Sequence, residues 1–377
     1  MSRILLGLLV LLLPCGVLAA VHYDWFSFED RVFYQTGEHP LDVVVVDINM
    51  DGYQDALTAN RNGKSISIFG GNGDGSFEDL TPLASDLAPS SLAVGDMDGN
   101  GSLDIVAGLC GPMCQENYVG VFSGKGDGQF DHTSVIGVSG VPYNITLGDF
   151  NEDSFLDIAF SDYPGARIGL LLSRGDGSFV ESSLPAQSKT IALVAGDLNH
   201  DSKLDLVTSN HGAGTSSVYL ALAAGQFGDE IVVPTGELPY AIALSDVNGD
   251  EHLDLLVAHS TDPGAISIFA GRGDGKFEKY QGIKAEDRLV FIETADFDRD
   301  GSPDIIVTRN QQTRASVYIN RGDGTFADSS IEIPAENKIY SLAVSDLNGD
   351  RFPDLVTVDY EQHNLAVALG AEPNAGQ

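Results

Sequence analysis

The sequence predicts an all-β protein, a seven-bladed β-propeller of four-stranded antiparallel blades whose last blade is closed by an N-terminal strand. Three observations predict this fold. An acidic nine-residue segment recurs seven times at a spacing of about fifty residues, which is the signature of a repeat architecture. Short runs rich in Val, Ile and Leu surround each copy, as expected for the strands of a blade. The chain ends after the third run of the last copy and carries a fourth such run before the first copy.

The acidic segments set the number of blades. Each begins and ends with Asp and carries Asp or Asn at its third and fifth positions. The steps between successive first aspartates are 49, 53, 48, 49, 50 and 50 residues, so the period hardly drifts. The seven copies begin at Asp47, Asp96, Asp149, Asp197, Asp246, Asp296 and Asp346.

The apolar runs around each segment predict four strands per copy. In the fifth copy, residues 242–244 precede the segment, residues 255–257 follow it, and residues 266–269 form a third run. A Gly-Asp-Gly turn then leads into a fourth run at Phe277, and such turns favour a β-hairpin because both residue types tolerate positive φ. The fourth copy lacks this turn at residues 224–227, which leaves its outer hairpin open.

The two ends of the repeat array predict a closed ring. The last copy stops after its third run at residues 365–369, and residues 25–30 read like residues 75–79, where a fourth strand begins. A blade completed in this way leaves no open sheet edge at the join. We therefore expect one propeller domain over residues 21–377.

The first twenty residues predict a secretory signal peptide. A short positive start at Arg3 is followed by an apolar run at residues 4–13 and by small residues at 17–20. The run is too short to span a bilayer, and Pro14 before Cys15 argues against a lipid anchor. The expected location is extracellular, or periplasmic in a bacterium. In such a compartment Cys110 and Cys114 predict a local disulfide rather than a redox pair.

The charge of the chain limits its partners. Asp and Glu number 55 against 20 Lys and Arg, for a net charge of −35. Nucleic acids and anionic membranes bind through Lys and Arg, so a surface of this charge repels both, and we expect no nucleic-acid partner and no membrane span. A surface of this kind attracts divalent cations instead.

The acidic segments predict up to seven structural calcium ions. Alternate oxygens in a tight loop suit an ion that takes six to eight hard oxygen ligands. A less favoured alternative is that Asp and Asn only shape turns. The predicted ligands are Asp47, Asn49, Asp51, Asp55; Asp96, Asp98, Asn100, Asp104; Asp149, Asn151, Asp153, Asp157; Asp197, Asn199, Asp201, Asp205; Asp246, Asn248, Asp250, Asp254; Asp296, Asp298, Asp300, Asp304; Asp346, Asn348, Asp350 and Asp354.

The repeat resembles a known family. The order of an Asp-rich segment, an apolar strand, a Ser-Ile-Ser-Ile-Phe strand at residues 65–69 and a Gly-Asn-Gly-Asp-Gly-Ser-Phe turn at residues 71–77 is similar to FG-GAP or VCBS-type repeats. Integrin α-subunit heads share these repeats. The resemblance implies a propeller whose calcium ions lie between the first and second strands of each blade.

The loops on the side away from the acidic segments predict a ligand-binding face. Tyr, His, Asn and Arg side chains in such loops suit a glycan or an extended polypeptide. An alternative is that the repeated Asn residues only satisfy loop backbone. The candidates are Arg61, Tyr143, Tyr163, Asn210, His211, Tyr240, His259, Arg309, Asn310, Tyr340 and Tyr360.

The sequence favours a binding module over an enzyme. It contains no nucleophile elbow, no phosphate-binding glycine loop followed by a helix and no His-rich zinc spacing. We expect a monomeric adhesion module for a glycan or an extracellular protein. The alternative is a polysaccharide-cleaving or sugar-modifying enzyme that uses His211, His259 or Tyr240.

Overall fold

A computed structural model of the protein describes residues 26–111, 116–309, 313–334 and 338–372. The predicted signal peptide at residues 1–20, Cys114 and Asn310 lie outside these ranges.

The described residues form strands and turns, with no helix among them. None of them forms a helix that could cross a membrane. The N-terminal part and the first three blades comprise β1 (Ser27–Phe28), β2 (Val32–Gln35), β3 (Pro40–Val46), β4 (Asp55–Asn60), β5 (Ser65–Gly71), β6 (Phe77–Asp79), β7 (Leu83–Ala84), β8 (Ala88–Gly95), β9 (Asp104–Cys110), β10 (Asn117–Gly124), β11 (Phe130–Gly137), β12 (Pro142–Gly148), β13 (Asp157–Asp162), β14 (Arg167–Ser173) and β15 (Phe179–Pro185). The other four blades comprise β16 (Thr190–Gly196), β17 (Asp205–Asn210), β18 (Thr215–Tyr219), β19 (Ile231–Pro234), β20 (Pro239–Ser245), β21 (Asp254–His259), β22 (Ala265–Gly271), β23 (Phe277–Lys284), β24 (Leu289–Ala295), β25 (Asp304–Arg309), β26 (Arg314–Tyr318), β27 (Ile331–Pro334), β28 (Ile339–Ser345), β29 (Asp354–Asp359), β30 (Asn364–Ala368) and β31 (Gly370–Ala371).

These strands form the predicted propeller. Six blades follow chain order from an inner first strand to an outer fourth strand, as in the sheet β20-β21-β22-β23. In the seventh blade the order is β28-β29-β30-β2, so a strand from near the N-terminus takes the outer place. All neighbouring strands within the blades are antiparallel. The predicted all-β, seven-bladed fold is confirmed.

The closing strand lies further along the chain than residues 25–30. The outer strand of blade 7 is β2, in which Val32 pairs with Val367 and Gln35 pairs with Asn364. Only Ser27 and Phe28 of the predicted segment pair, in the short ladder between β1 and β31. Blade 1 likewise has two short strands at its outer edge, because β6 and β7 both pair with β5.

The hydrophobic core consists of seven clusters, one between each pair of neighbouring blades. Between blades 5 and 6, for example, Leu256 and Ile268 pack with Ile292 and Ile305. Six of the seven second strands are buried at every residue, so buried and exposed residues do not alternate along them. Burial of apolar area between blades therefore holds the ring together.

The outer hairpin of blade 4 forms although it lacks the Gly-Asp-Gly turn. Ala224 and Gly225 both adopt positive φ, at 59° and 70°. The amide of Leu222 donates to the carbonyl of Gln226 over 2.7 Å, and Ala221 forms a β-bridge with Phe227. Two adjacent residues of positive φ thus make this turn, whereas the other hairpins place Asp between two glycines of positive φ.

Candidate functional site

The propeller has two faces of different composition. One carries the acidic segments, which link the first and second strands of every blade, together with the hairpins before the outer strands. We call it the metal-loop face and number each segment from 1 to 9. The opposite face carries the links between second and third strands and between blades, and we call it the tyrosine face.

Each metal loop turns at two residues of positive φ. In loop 6 these are Arg299 at position 4 (φ 60°) and Gly301 at position 6 (φ 94°). All seven loops have positive φ at both positions, although eight of the fourteen residues are not glycine. Such a conformation is uncommon for residues with a side chain, so the loop must be held by other interactions.

Side-chain oxygens at positions 1, 3 and 5 provide those interactions. In loop 6, Asp296 accepts the amide of Gly301 over 2.9 Å, and Asp298 accepts the amide of Asp300 over 3.2 Å. Asp300 in turn accepts the amide of Ser302 over 2.8 Å. The same three bonds occur in all seven loops. The oxygens of the three positions are therefore drawn inward into one loop.

The aspartate at position 9 connects each loop to the third strand of its blade. In loop 6, Asp304 is fully buried and accepts the amide of Phe297 at position 2 over 2.9 Å. Its second oxygen accepts the amide of Asn320, just after the third strand, over 2.8 Å. This pair of bonds also recurs in every blade.

The sequence interpretation treated position 9 only as a metal ligand and missed this connecting role. One signal could have revealed it. Positions 3 and 5 accept Asn in place of Asp, whereas positions 1 and 9 are Asp in all seven copies, and position 9 is also the first residue of the apolar second strand.

Burial makes the carboxylates at position 9 weaker acids. Loss of solvent raises the pKa of Asp157, Asp254 and Asp354 to about 6 and that of Asp304 to about 7. Hydrogen bonds from the backbone oppose this shift. Nearby carboxylates of the same loop add to it, from positions 1 and 5 in the case of Asp254 and from positions 1 and 3 in the case of Asp304. A nearby cation would favour the ionised form of these groups.

Two of the loops bring three carboxylates close enough together to hold a metal ion. In loop 2, oxygens of Asp96, Asp98 and Asp104 lie within 4.8 Å of one another, and the same holds for Asp296, Asp298 and Asp304 in loop 6. The other five loops have Asn at position 3, with its oxygen in the same hydrogen bond. A set of carboxylate and amide oxygens is the donor set that Ca²⁺ prefers. Positions 1, 3, 5 and 9 of each loop are the residues that would hold it.

On the tyrosine face, three tyrosines occupy one repeat position near the axis of the ring. Tyr143, Tyr240 and Tyr340 each lie at the β-bulge of an inner strand, in blades 3, 5 and 7. The hydroxyls of Tyr143 and Tyr240 are 3.0 Å apart. Bulges commonly re-aim a side chain out of its ladder, which explains why residues of different blades converge here.

Further aromatic side chains support these three. Tyr163 stacks on Tyr143 with ring centroids 5.5 Å apart, and Tyr360 packs against Tyr340 at 5.7 Å. His211 contacts the edge of Tyr240 at 6.0 Å. His39, which sequence reasoning did not single out, packs against Tyr360 at 4.4 Å.

Burial makes two tyrosines of this cluster, Tyr240 and Tyr340, weaker acids. Desolvation, followed by the neighbouring Tyr143, raises the pKa of Tyr340 to about 12, and the exposed Arg61 opposes that shift. Burial and nearby tyrosines also raise the pKa of Tyr240. Their hydroxyls are therefore protonated donors at neutral pH. Burial and Lys189 lower the pKa of His211, which favours its neutral form.

Three predicted ligand-binding residues are buried inside their own blades. The amide nitrogen of Asn210 bonds to the hydroxyls of Thr215 and Ser217 over 3.2 and 2.7 Å. His259, only 3% exposed, bonds through both ring nitrogens to the carbonyl of Glu237 and the hydroxyl of Ser267.

Arg309 is 2% exposed and pairs with Glu332 over 2.8 and 3.0 Å. The side chains of Asn210, His259 and Arg309 therefore lie inside their blades and not at the surface of the tyrosine face. All three end a second strand, and second strands are covered on both sides. Arg61, Tyr143, His211, Tyr240 and Tyr340 do lie on the tyrosine face.

Cys110 ends the second strand of blade 2 and is disulfide-bonded. Its predicted partner, Cys114, lies outside the described residues. The other two cysteines of the chain are Cys15 and Cys114.

The fold is similar to that of several solved structures. Two are crystal structures of BBS1N in complex with ARL6DN, one soaked with lead (TM-score 0.64, 9% identity) and one soaked with mercury (TM-score 0.65, 10% identity). Each alignment covers 94% of this chain and 99% of the other. A functionally unknown protein from Desulfotomaculum acetoxidans DSM 771 aligns at a TM-score of 0.58 and 9% identity, over 86% of this chain and 90% of that one. At such identities the similarity shows a shared fold alone.

Sequence comparison places the repeats in a family. No curated protein matches the chain at a significant level. The model of the FG-GAP-like repeat matches residues 47–107, 149–208, 246–307 and 296–357. These matches cover more than half of the chain, which therefore belongs to the FG-GAP-like repeat family.

Proposed function

We propose that the protein is a secreted, calcium-stabilised binding module that holds a protein ligand on its tyrosine face. The observation that carries this proposal is the convergence of Tyr143, Tyr240 and Tyr340 near the axis of the ring. Tyrosines supply large, rigid contact areas with a polar end, and they are enriched at protein interfaces. Tyr340 is 43% exposed and is the most accessible of the three.

The calcium part of the proposal is supported by the donor sets of the seven loops. The ions would be structural, because the loops lie on the face opposite to the tyrosines and connect the strands of each blade. Calcium affinities of extracellular modules are on the order of 10⁻⁴–10⁻³ M, which matches extracellular calcium but not cytosolic calcium. Secretion is supported by the pattern of residues 1–20 and by the disulfide at Cys110.

Two considerations favour a protein ligand over a glycan. The tyrosine rings stack on one another, so several ring faces that a sugar would use are already covered. A propeller of similar fold, BBS1N, is crystallised in complex with a protein, ARL6DN. A glycan remains the competing ligand class, and the experiment below distinguishes the two.

The enzyme alternative has less support from the site. Both ring nitrogens of the buried His259 are already in hydrogen bonds, and the Tyr240 hydroxyl bonds to Tyr143. Of the three groups named for catalysis, His211 alone has a ring nitrogen, Nδ1, without a partner, and that atom is buried. A general acid or base must reach the substrate proton, so we rank the binding proposal ahead of the enzyme.

A peptide-display library and a glycan array, both screened in 2 mM calcium, test the proposal. The tyrosine face is disrupted by Tyr340→Ala. The matched control is Tyr53→Ala, since Tyr53 is 49% exposed and lies on the metal-loop face. We expect peptides selected on the wild type to lose at least ten-fold in affinity for Tyr340→Ala and to bind Tyr53→Ala normally.

Three results would contradict this proposal. Peptides that bind Tyr340→Ala as well as the wild type would place the ligand elsewhere. Glycan binding that Tyr340→Ala abolishes, without peptide binding, would make the protein a lectin. Product release from polysaccharides by the wild type would favour the enzyme alternative.

A further inference from the structure

At three junctions between neighbouring blades, the metal loops contact each other in the same way. Where both residues have long side chains, position 4 of one loop contacts position 7 of the next. Glu152 of loop 3 lies 3.9 Å from the ammonium group of Lys203 in loop 4. The guanidinium of Arg299 in loop 6 lies over the ring of Phe352 in loop 7, 4.5 Å from its centroid.

The contact between loops 4 and 5 joins two histidines. His200 is at position 4 of loop 4, and His252 is at position 7 of loop 5. Nε2 of His200 is 2.7 Å from Nδ1 of His252, and the ring centroids are 4.9 Å apart. The remaining loops carry Met50, Gly99, Gly249 and Gly349 at position 4, so this junction differs from the other six in offering two metal-ligating side chains.

The backbone holds both rings in place. His200 has a φ of 59°, in the left-handed region, and its loop is closed by the oxygens of Asp197 and Asn199. The amide of His252 donates to Asp250, and its ring covers Gly273, where a Cβ atom would come within 2.5 Å of the ring. Neither ring needs a large movement to present its nitrogen to a shared ion.

We propose that His200 and His252 form a binding site for a transition-metal ion of the zinc class, which clips blades 4 and 5 together on the metal-loop face. Imidazole nitrogen suits Zn²⁺, Cu²⁺ and Ni²⁺, whereas Ca²⁺ takes oxygen ligands, so the site is chemically distinct from the loops.

The geometry requires only a small adjustment. Zn–N bonds of about 2.0–2.1 Å at a tetrahedral angle place two ligand nitrogens about 3.3 Å apart. The observed separation of 2.7 Å must therefore widen by roughly half an ångström. One ring now donates a proton to the other, and it would bind the ion after shifting that proton to its outer nitrogen. Water would complete the coordination shell.

The acidic surroundings assist the ion. The net charge of the chain is −35, and both histidines lie within acidic loops. A field of this sign raises the local concentration of divalent cations. Filling the loops with calcium reduces the field, so the site must be measured with calcium present.

Titration of the full-length protein with zinc chloride in 2 mM calcium tests the proposal. Calorimetry should show one zinc ion bound, with affinity reduced at least ten-fold in His200→Gln and in His252→Gln. His132→Gln, in the outer strand β11 of blade 2, is the matched control and should bind zinc like the wild type. The melting temperature of the wild type should rise by about 3–5 °C at a hundred-fold excess over Kd.

A cobalt titration separates ligation from a merely structural role. Cobalt bound by two imidazoles absorbs in the visible region, and the band should disappear in either histidine variant while far-ultraviolet circular dichroism stays unchanged. The proposal is wrong if the double variant binds zinc as tightly as the wild type, or if the wild type binds none.

Discussion

The two faces of the propeller use the same repeat in opposite ways. On the metal-loop face, all seven copies keep the same hydrogen bonds, down to the two that each aspartate at position 9 accepts. On the tyrosine face, one bulge position carries Tyr in three blades and Leu41, Ser90, Ile191 or Val290 in the others. Repetition thus builds the scaffold, whereas departure from the repeat marks the surface that we propose to bind a ligand.

Removing calcium should have the largest effect on stability, because the loss of calcium acts on every blade at once. A loop at a twenty-fold excess of calcium over Kd stabilises the folded state by about 2 kcal/mol, and the contributions of the filled loops add. We expect the melting temperature in EDTA to lie more than about 10 °C below that in 2 mM calcium. Calorimetry measures it, with 2 mM magnesium as the control cation. Equal melting temperatures in both buffers would refute calcium as the stabilising ion.

A single change at position 9 should cost less, but still several kcal/mol. Asp254→Ala leaves the amides of Val247 and Gly271 without their acceptor, and buried unpaired amides cost about 1–3 kcal/mol each. We expect the free energy of unfolding in urea to fall by about 2–5 kcal/mol. Asp274→Ala, in the exposed hairpin turn of the same blade, should change it by less than about 1 kcal/mol. Similar losses in both variants would mean that burial of the position-9 carboxylate is unimportant.

The inner strand of blade 6 offers a pH test away from the metal loops. Glu293 accepts one backbone hydrogen bond from Val344 of blade 7, and its other carboxylate oxygen is buried without a partner. Burial raises its pKa from 4.5 to about 7. The folded protein therefore binds this proton more tightly than the unfolded chain does. The contribution of Glu293 to stability should fall as the pH rises from about 4.5 through 7, by about 3 kcal/mol.

The variant Glu293→Gln isolates that contribution. Urea unfolding of the wild type and the variant at pH 5, 6, 7 and 8, at constant calcium, should give curves whose difference grows in favour of the variant as the pH rises. A difference that is constant with pH would show that Glu293 titrates normally.

The smallest effect is expected on the tyrosine face. Tyr240→Phe removes the hydroxyl that bonds to Tyr143, at a cost of about 1 kcal/mol. The calcium concentration that gives half of the thermal stabilisation should not change. A shift in that midpoint would show that the two faces are energetically coupled, contrary to the division described above.

The sequence revealed the repeating part of the molecule better than the part that varies. Blade number, loop position and ring closure follow from a period and a strand pattern, both of which can be recognised along the chain without knowing how side chains pack. The burial of Asn210, His259 and Arg309 does not, because a strand covered on both sides hides residues that strand alternation would place outside. The pairing of His200 with His252 was also beyond reach, since it depends on how position 4 of one loop meets position 7 of the next.

The closure of blade 7 has a consequence for biosynthesis. The strand Val32–Gln35 pairs with residues made more than 300 residues later, at Asn364–Val367. At about 5–20 residues per second, it waits roughly 15–65 s for its partner while blades 1 to 6 are completed. During that interval an unpaired edge is exposed, which is where chaperones or a neighbouring chain could bind. A circularly permuted chain that places residues 26–37 after residue 372 would remove this delay while keeping every pairing within the blades.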